Sequence, residues 1–244
     1  MYIALDLETT GLSKEKNDII EIGIAKFDDK KIIDSYKTFI SIDYDIPEII
    51  THITGIQTKD LEGAPQLKDV QEKLLDFIGD LTIVGHSISF DIDFLAAKGI
   101  ILNNKSYDTL PLSGILIPGM HSYSLGILTE KLGISHENQH RALDDAIASA
   151  ELFQILIKKV KEIYPETLNE IKELVEDTMW PLKQVFAKAK AKKHKKSTKE
   201  VRKFSETKFE NPKEKKLKFN KDKILSFYDE NGLIYKFLIL LVRI

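Results

Sequence analysis

The sequence predicts a layered α/β fold on three observations: three β-rich runs come first, helix-period segments closed by glycines follow, and short strand-like runs lie between those helices. Tyr2 to Glu8 alternates as a strand, with Ile3, Leu5 and Leu7 on one face and Ala4, Asp6 and Glu8 on the other. It opens apolar and ends in two carboxylates. Ile19 to Phe27 and Lys31 to Ile42 are β-rich and meet at the polar tetrad Asp28-Asp29-Lys30-Lys31, which reads as an antiparallel hairpin. From Gln66 to Ile78, Leu67, Val70, Leu74, Phe77 and Ile78 recur at helical spacing, and Gly79 closes the segment as a C-terminal cap. Leu81 to Val84 reads as a short buried strand and Tyr107 to Leu110 as a last one. Between and after them, Asp91 to Lys98 and Ser124 to Leu132 read as helices stopped by Gly99 and Gly133. Ala142 to Ile163 is the longest helical pattern, carrying Leu143, Ile147, Ala150 and Phe153 before Tyr164-Pro165 interrupts it.

Charge divides the chain at Pro165. Residues 1–164 hold 16 basic and 26 acidic residues, a balance of −10, whereas residues 165–244 hold 20 and 12, a balance of +8. An acidic domain that handles a polyanion needs cations at its working surface; a basic tail binds phosphates directly by displacing counterions. The expected organisation is a domain over 1–164, a helical extension over 165–182 and a basic, linker-like tail over 183–244. Residues 183–203 hold ten basic residues against one acid, Glu200, and the apolar terminus Leu233 to Ile244 is shorter than the roughly 20 residues a membrane span needs. With no cysteine, neither a disulfide framework nor a thiolate zinc site is available. The first residues read as a strand rather than a signal peptide, so a cytoplasmic setting away from the membrane is expected.

Three polar clusters carry the candidate chemistry. Asp6 and Glu8 project from one face of a strand end, where they are either solvated at the sheet edge or, since like charges repel, neutralised by a cation. The following Thr9-Thr10-Gly11-Leu12 is a tight turn whose backbone N–H groups and hydroxyls suit a phosphorylated ligand. Asp91 opens a helix after Gly85-His86-Ser87-Ile88-Ser89-Phe90, a position that by itself fits an ordinary first-turn acid. His140 stands in the approach to the longest helix with Asp145 five residues later; alone it would be a surface histidine. Phe90 and Phe94 suit either core packing or stacking on a base.

Taken together, Asp6-Leu7-Glu8-Thr9-Thr10-Gly11, Phe90-Asp91 and His140-Arg141-Ala142-Leu143-Asp144-Asp145-Ala146 resemble the DEDDh (DnaQ-like) 3′→5′ exonuclease family. The resemblance extends over roughly residues 1–164 and is similar to that of polymerase III epsilon and PolC-type proofreading exonucleases and of the N-terminal exonuclease of DinG-type helicases. It implies a ribonuclease H-like fold with a five-stranded mixed sheet flanked by helices. It further implies two Mg²⁺ or Mn²⁺ held by Asp6, Glu8, Asp91 and Asp145, with His140 as general base. Oxygen-only ligands suit such hard cations. The family spacing selects Asp145 over Asp144, since adjacent helical residues point about 100° apart. It also implies that Thr9, Gly11 and Leu12 meet the terminal nucleotide, with His52-Ile53-Thr54-Gly55-Ile56 lining its other side. Ser87 departs from the family's asparagine after the second-motif histidine.

The expected substrate is therefore a nucleic-acid 3′ end, DNA above RNA, in replication proofreading or repair, with replication or helicase proteins as partners. RNA trimming uses the same chemistry, because the motifs do not report on the 2′ position. A non-catalytic nucleic-acid-binding adaptor is a third reading, whose mark would be loss of a metal-binding acid. The basic tail, with Phe204, Phe209 and Phe219 interspersed, reads as a linker or as a strand-binding segment. Phe227 to Leu233 faintly resembles the approach to a helicase motor, but the chain holds no G-x-x-x-x-G-K-[ST] phosphate loop.

Overall fold

The computed structural model describes residues 1–190. Five strands form one mixed sheet in the order β3-β2-β1-β4-β5. They are β1 (Tyr2–Thr9), β2 (Ile19–Phe27), β3 (Ile32–Phe39), β4 (Thr82–Gly85) and β5 (Ser106–Asp108). β1–β2 and β2–β3 pair antiparallel, as the hairpin pattern predicts, whereas β4 runs parallel to β1 and β5 parallel to β4. The alternation along β1 sorts its side chains into two cores. Ile3, Leu5 and Leu7 pack with α2 (Leu67–Ile78) and α3 (Ser89–Ala97), and Ala4 packs on the opposite face with α6 (Ala142–Glu162).

Three elements differ from the sequence reading. α1 (Glu48–Thr54) follows Pro47 and ends at Gly55, whose φ of 73° a left-handed cap requires. It opens a segment that continues into the short 3₁₀ turn Thr58–Leu61, and together they pack Ile46, Ile56 and Leu61 onto Ile20 of β2. β5 stops at Asp108, and the residues beyond form α4 (Thr109–Leu116), because the Asp108 side chain accepts a hydrogen bond from Leu110 N and caps the helix. The expected strand to Leu110 thus becomes a strand and a helix. α5 (Leu125–Leu132) then leads to α6.

The third difference lies at the expected tail. α7 (Pro165–Val175) is followed by α8 (Lys183–Lys188), so residues 183–189 are packed rather than linker-like. Leu168, Ile171, Val175, Leu182, Val185 and Phe186 are all buried in the same core as α6. The readings of residues 191–244, including the aromatic positions and the apolar terminus, lie outside the described residues. Among the described residues no helix is long and apolar enough to cross a membrane.

Candidate active site

β1 and β4 are parallel neighbours, so their C-terminal ends open on the same edge of the sheet, the edge where ligands gather in α/β proteins. β4 pairs with β1 only as far as Ala4. Beyond that point the β4-facing side of β1 has no strand partner among the described residues, and Asp91 of α3 fills the gap: its Oδ1 accepts from Leu7 N at 3.0 Å. One carboxylate is thereby fixed beside the end of the strand that carries Asp6 and Glu8.

The other face of β1 receives α6. Gly23 of β2 is the register partner of Asp6, and a Cβ there would lie 2.1 Å from the carbonyl carbon of Ala142 and from Leu143 N. Only glycine lets the start of α6 press this close to the sheet. Glu21, paired with Glu8 across the strands and 2% exposed, anchors the same helix end. Its carboxylate accepts from Arg141 Nε at 3.1 Å, from Arg141 Nη2 at 2.9 Å and from Ala142 N at 3.1 Å. Asp145, one turn into α6, is thus brought to the two acids of β1.

The result is a cluster in which Asp6, Glu8 and Asp145 each offer an oxygen within 4.8 Å of the others. Burial raises the pKa of every member, and repulsion among carboxylates adds to it at Asp6 and Glu8. Asp6 is pushed well above the usual carboxylate range, by burial first and then by Asp91, Asp145, Glu8 and Glu21. Glu8 rises to about 8, through burial and the charges of Asp145 and Glu21. Asp91 also rises to about 8, because burial outweighs the Leu7 N–H that favours its ionised form. Burial raises Asp145 as well, opposed by His136 and His140. Such a set is stable as carboxylates only beside positive charge, and its all-oxygen chemistry fits a divalent metal.

The remaining expected residues fall as follows. His140 is exposed on the α5–α6 loop with φ of 62°, and its N–H donates to Asp145 Oδ2 at 3.1 Å. Asp144 points elsewhere, accepting from Asn138 Nδ2, and Asp93 pairs on the surface with Lys14. Thr9 is buried and its hydroxyl donates to Gly11 O at 2.8 Å, closing the turn. A Cβ on Gly11 would strike the Asn17 side chain at 2.7 Å, and Leu12 stands 87% exposed. α1 presents His52 and Ile53 to solvent. Phe90 is partly buried with its ring 5.5 Å from that of the fully buried Phe94, so Phe94 and Ile56 belong to the core. Ser87 has φ of 63°, a left-handed conformation that asparagine tolerates better than serine; its N–H is held by Asp108 Oδ1. His86 spans to Thr109 Oγ1 and Tyr123 O.

Two residues in contact with this site were not singled out from sequence. Glu21 was visible as a lone acid within the apolar run Ile19-Ile20-Glu21-Ile22. His136, whose Nε2 meets Asp145 Oδ1, left no comparable signal.

A model of the exonuclease family RNase_T matches residues 3–153. The PolC-type DNA polymerase III of Clostridium perfringens is 39% identical over 177 residues, covering 69% of this chain and 12% of that protein. The 3′-5′ exonuclease DinG of Staphylococcus aureus is 34% identical over 190 residues, 76% of this chain and 21% of that protein. The chain therefore spans only a small part of the length of these curated relatives. Among solved structures, exonuclease X in complex with 5′-overhanging duplex DNA superposes with a TM-score of 0.54 at 24% identity, over 65% of this chain and 92% of the other. Exonuclease I of E. coli in complex with a dT13 oligonucleotide gives a TM-score of 0.58 at 17% identity, over 70% and 43%. The five-stranded mixed sheet is that of the ribonuclease H-like exonucleases.

Proposed function

The chain belongs to the RNase_T exonuclease family, and from that premise we propose that it hydrolyses phosphodiester bonds from the 3′ ends of nucleic acid, DNA by preference, using two Mg²⁺ or Mn²⁺. The observation that carries the reading is the convergence of the Asp6, Glu8 and Asp145 oxygens within 4.8 Å, with buried Asp91 tied to the same strand. These four acids hold the cations. When bound, the ions supply positive charge at the scissile phosphate, which favours ionisation of the attacking water and stabilises the leaving 3′ oxygen. His140 takes the proton of that water; its exposure leaves the ring open to solvent and to substrate. The Thr9-to-Leu12 turn orients the terminal nucleotide, with Leu12, His52, Ile53 and Phe90 supplying apolar and aromatic surface around its sugar and base.

Similarity to PolC-type polymerase and to DinG favours work on DNA in replication or repair, within a cytoplasmic assembly containing replication or helicase proteins. The test is degradation of 3′- and 5′-labelled single- and double-stranded DNA and RNA with Mg²⁺, Mn²⁺ or EDTA. Stepwise shortening from the 3′ end that EDTA abolishes is expected, with Asp6→Ala and His140→Ala reduced by at least about 100-fold. Cleavage in EDTA, or full activity in Asp6→Ala, overturns the mechanism; faster turnover of RNA moves the substrate class.

A further inference from the structure

The α5–α6 loop carries two histidines, and the side chain that reaches the acid cluster in this structure is that of His136, not of His140. Its neighbours Glu137, Asn138, Gln139 and His140 are exposed, whereas the His136 side chain is 4% exposed. A ring buried to that degree must satisfy both nitrogens. Nδ1 lies 3.3 Å from Thr129 Oγ1, and the Thr129 hydroxyl donates its own proton to Gly126 O at 2.9 Å. The threonine oxygen is therefore left to accept from Nδ1–H. Nε2 meets Asp145 Oδ1.

Asp145 is thus gripped twice from one loop: Oδ1 by the His136 ring and Oδ2 by the backbone N–H of His140. Each carboxylate oxygen has two lone pairs, so this grip fixes the plane of the group and leaves acceptor capacity facing Asp6 and Glu8. The chain of contacts ends in the backbone of α5, on the 1%-exposed Thr129, so the orientation of Asp145 is set by a rigid helix rather than by its own rotamer.

We propose that His136 is a positioning residue that holds Asp145 for metal ligation, with Thr129 as its support. The proposal rests on the metal-dependent reading of the acid cluster. Hydrogen-bonded partners of metal ligands typically account for 10–100-fold in affinity when removed. His136 also bears on His140, since the residue assigned as base is held by the same carboxylate.

The experiment is calorimetric titration of the EDTA-stripped, full-length protein with Mn²⁺, alongside melting curves and oligonucleotide kinetics at saturating Mn²⁺. His136→Ala is expected to weaken Mn²⁺ binding by about 10–100-fold while leaving KM for the oligonucleotide near the wild-type value. His136→Gln, whose amide can still donate to Asp145, recovers most of the loss. Thr129→Val keeps the ring and removes its support, and weakens Mn²⁺ binding less than His136→Ala does. It decides the matter if His136→Ala fails to fold, because wild-type Mn²⁺ affinity in Thr129→Val would reduce His136 to core filling. Wild-type affinity in a folded His136→Ala also overturns the proposal. If the wild-type protein itself takes up no Mn²⁺, the metal-dependent function falls, and the role of His136 with it; wild-type uptake with unaffected variants removes the role of His136 alone.

Discussion

At the residue scale, the acid cluster links pH, metal and stability. In the unfolded chain carboxylates ionise near pH 4, whereas in the folded protein Glu8 and Asp91 keep their protons to about 8, and Asp6 and Asp145 shift in the same direction. Between those limits the folded state binds more protons than the unfolded one, so the stability of the metal-free protein falls as pH rises from about 4 to about 8. His86 acts at the acid end with the opposite sign: burial lowers its pKa, so stability is lost as pH drops below about 6.5. An Asp6→Asn variant separates the two, because His86 cancels in the difference from wild type. In EDTA, its melting temperature is expected to exceed that of wild type by a margin that widens from pH 5 to pH 8.5. Mn²⁺ is expected to raise the wild-type value most at the alkaline end, where cations replace protons that the cluster has lost. A pH-independent difference between the two proteins would mean that these acids ionise in the fold as they do in water.

At the scale of elements, the site depends on how closely α6 approaches β2. Gly23→Ala sets a methyl group into the Ala142–Leu143 backbone, an overpacking that costs about 1–3 kcal/mol and pushes the helix start outward. Its expected signature is a lowered melting temperature together with a lost Mn²⁺-induced rise, since Asp145 withdraws with α6. Gly114→Ala on α4 is the contrast: among the described residues, apart from its chain neighbours and its own helix backbone, no atom lies within 4 Å of its added Cβ, and the substitution is expected to hold or raise stability by up to about 1 kcal/mol. Equal effects from the two would remove the special role of the β2–α6 contact. The same elements mark what the sequence makes legible. β2 is readable to its ends because its apolar run is bounded by polar residues, and the two faces of β1 follow from strict alternation. α4 is not, because Pro111 and Gly114 argue against a helix that the Asp108 cap nevertheless starts. Asp6, Glu8, Asp91 and Asp145 are legible as a motif. The His136–Asp145 contact is not, since it depends on how a nine-residue separation folds over α5, which no periodicity encodes.

At the scale of the whole molecule, α7 and α8 extend the packed core beyond α6. Five of their apolar side chains, Leu168, Ile171, Val175, Val185 and Phe186, together with Leu182 between them, are buried with the α6 core. At roughly 1.5–3 kcal/mol each, their burial is on the order of 10 kcal/mol, comparable to the entire stability of a typical domain. A chain ending at residue 164 is therefore expected to aggregate or to melt far below the full-length protein, although the family model ends at residue 153. A chain ending at residue 190 is expected to match the full length in melting temperature and in Mn²⁺ binding. That truncation also isolates the basic segment, since residues 1–164 carry a net charge of −10, which by itself disfavours approach of a polyanion. Each lysine–phosphate contact made by residues 191–244 would add about 0.7 to the slope of log affinity against log salt for single-stranded DNA. Measured in Ca²⁺ to suppress turnover, the full-length chain is accordingly expected to bind more tightly at low salt and to show the steeper slope. Superimposed salt profiles for the two proteins would assign all phosphate contacts to residues 1–190 and none to the lysines beyond them.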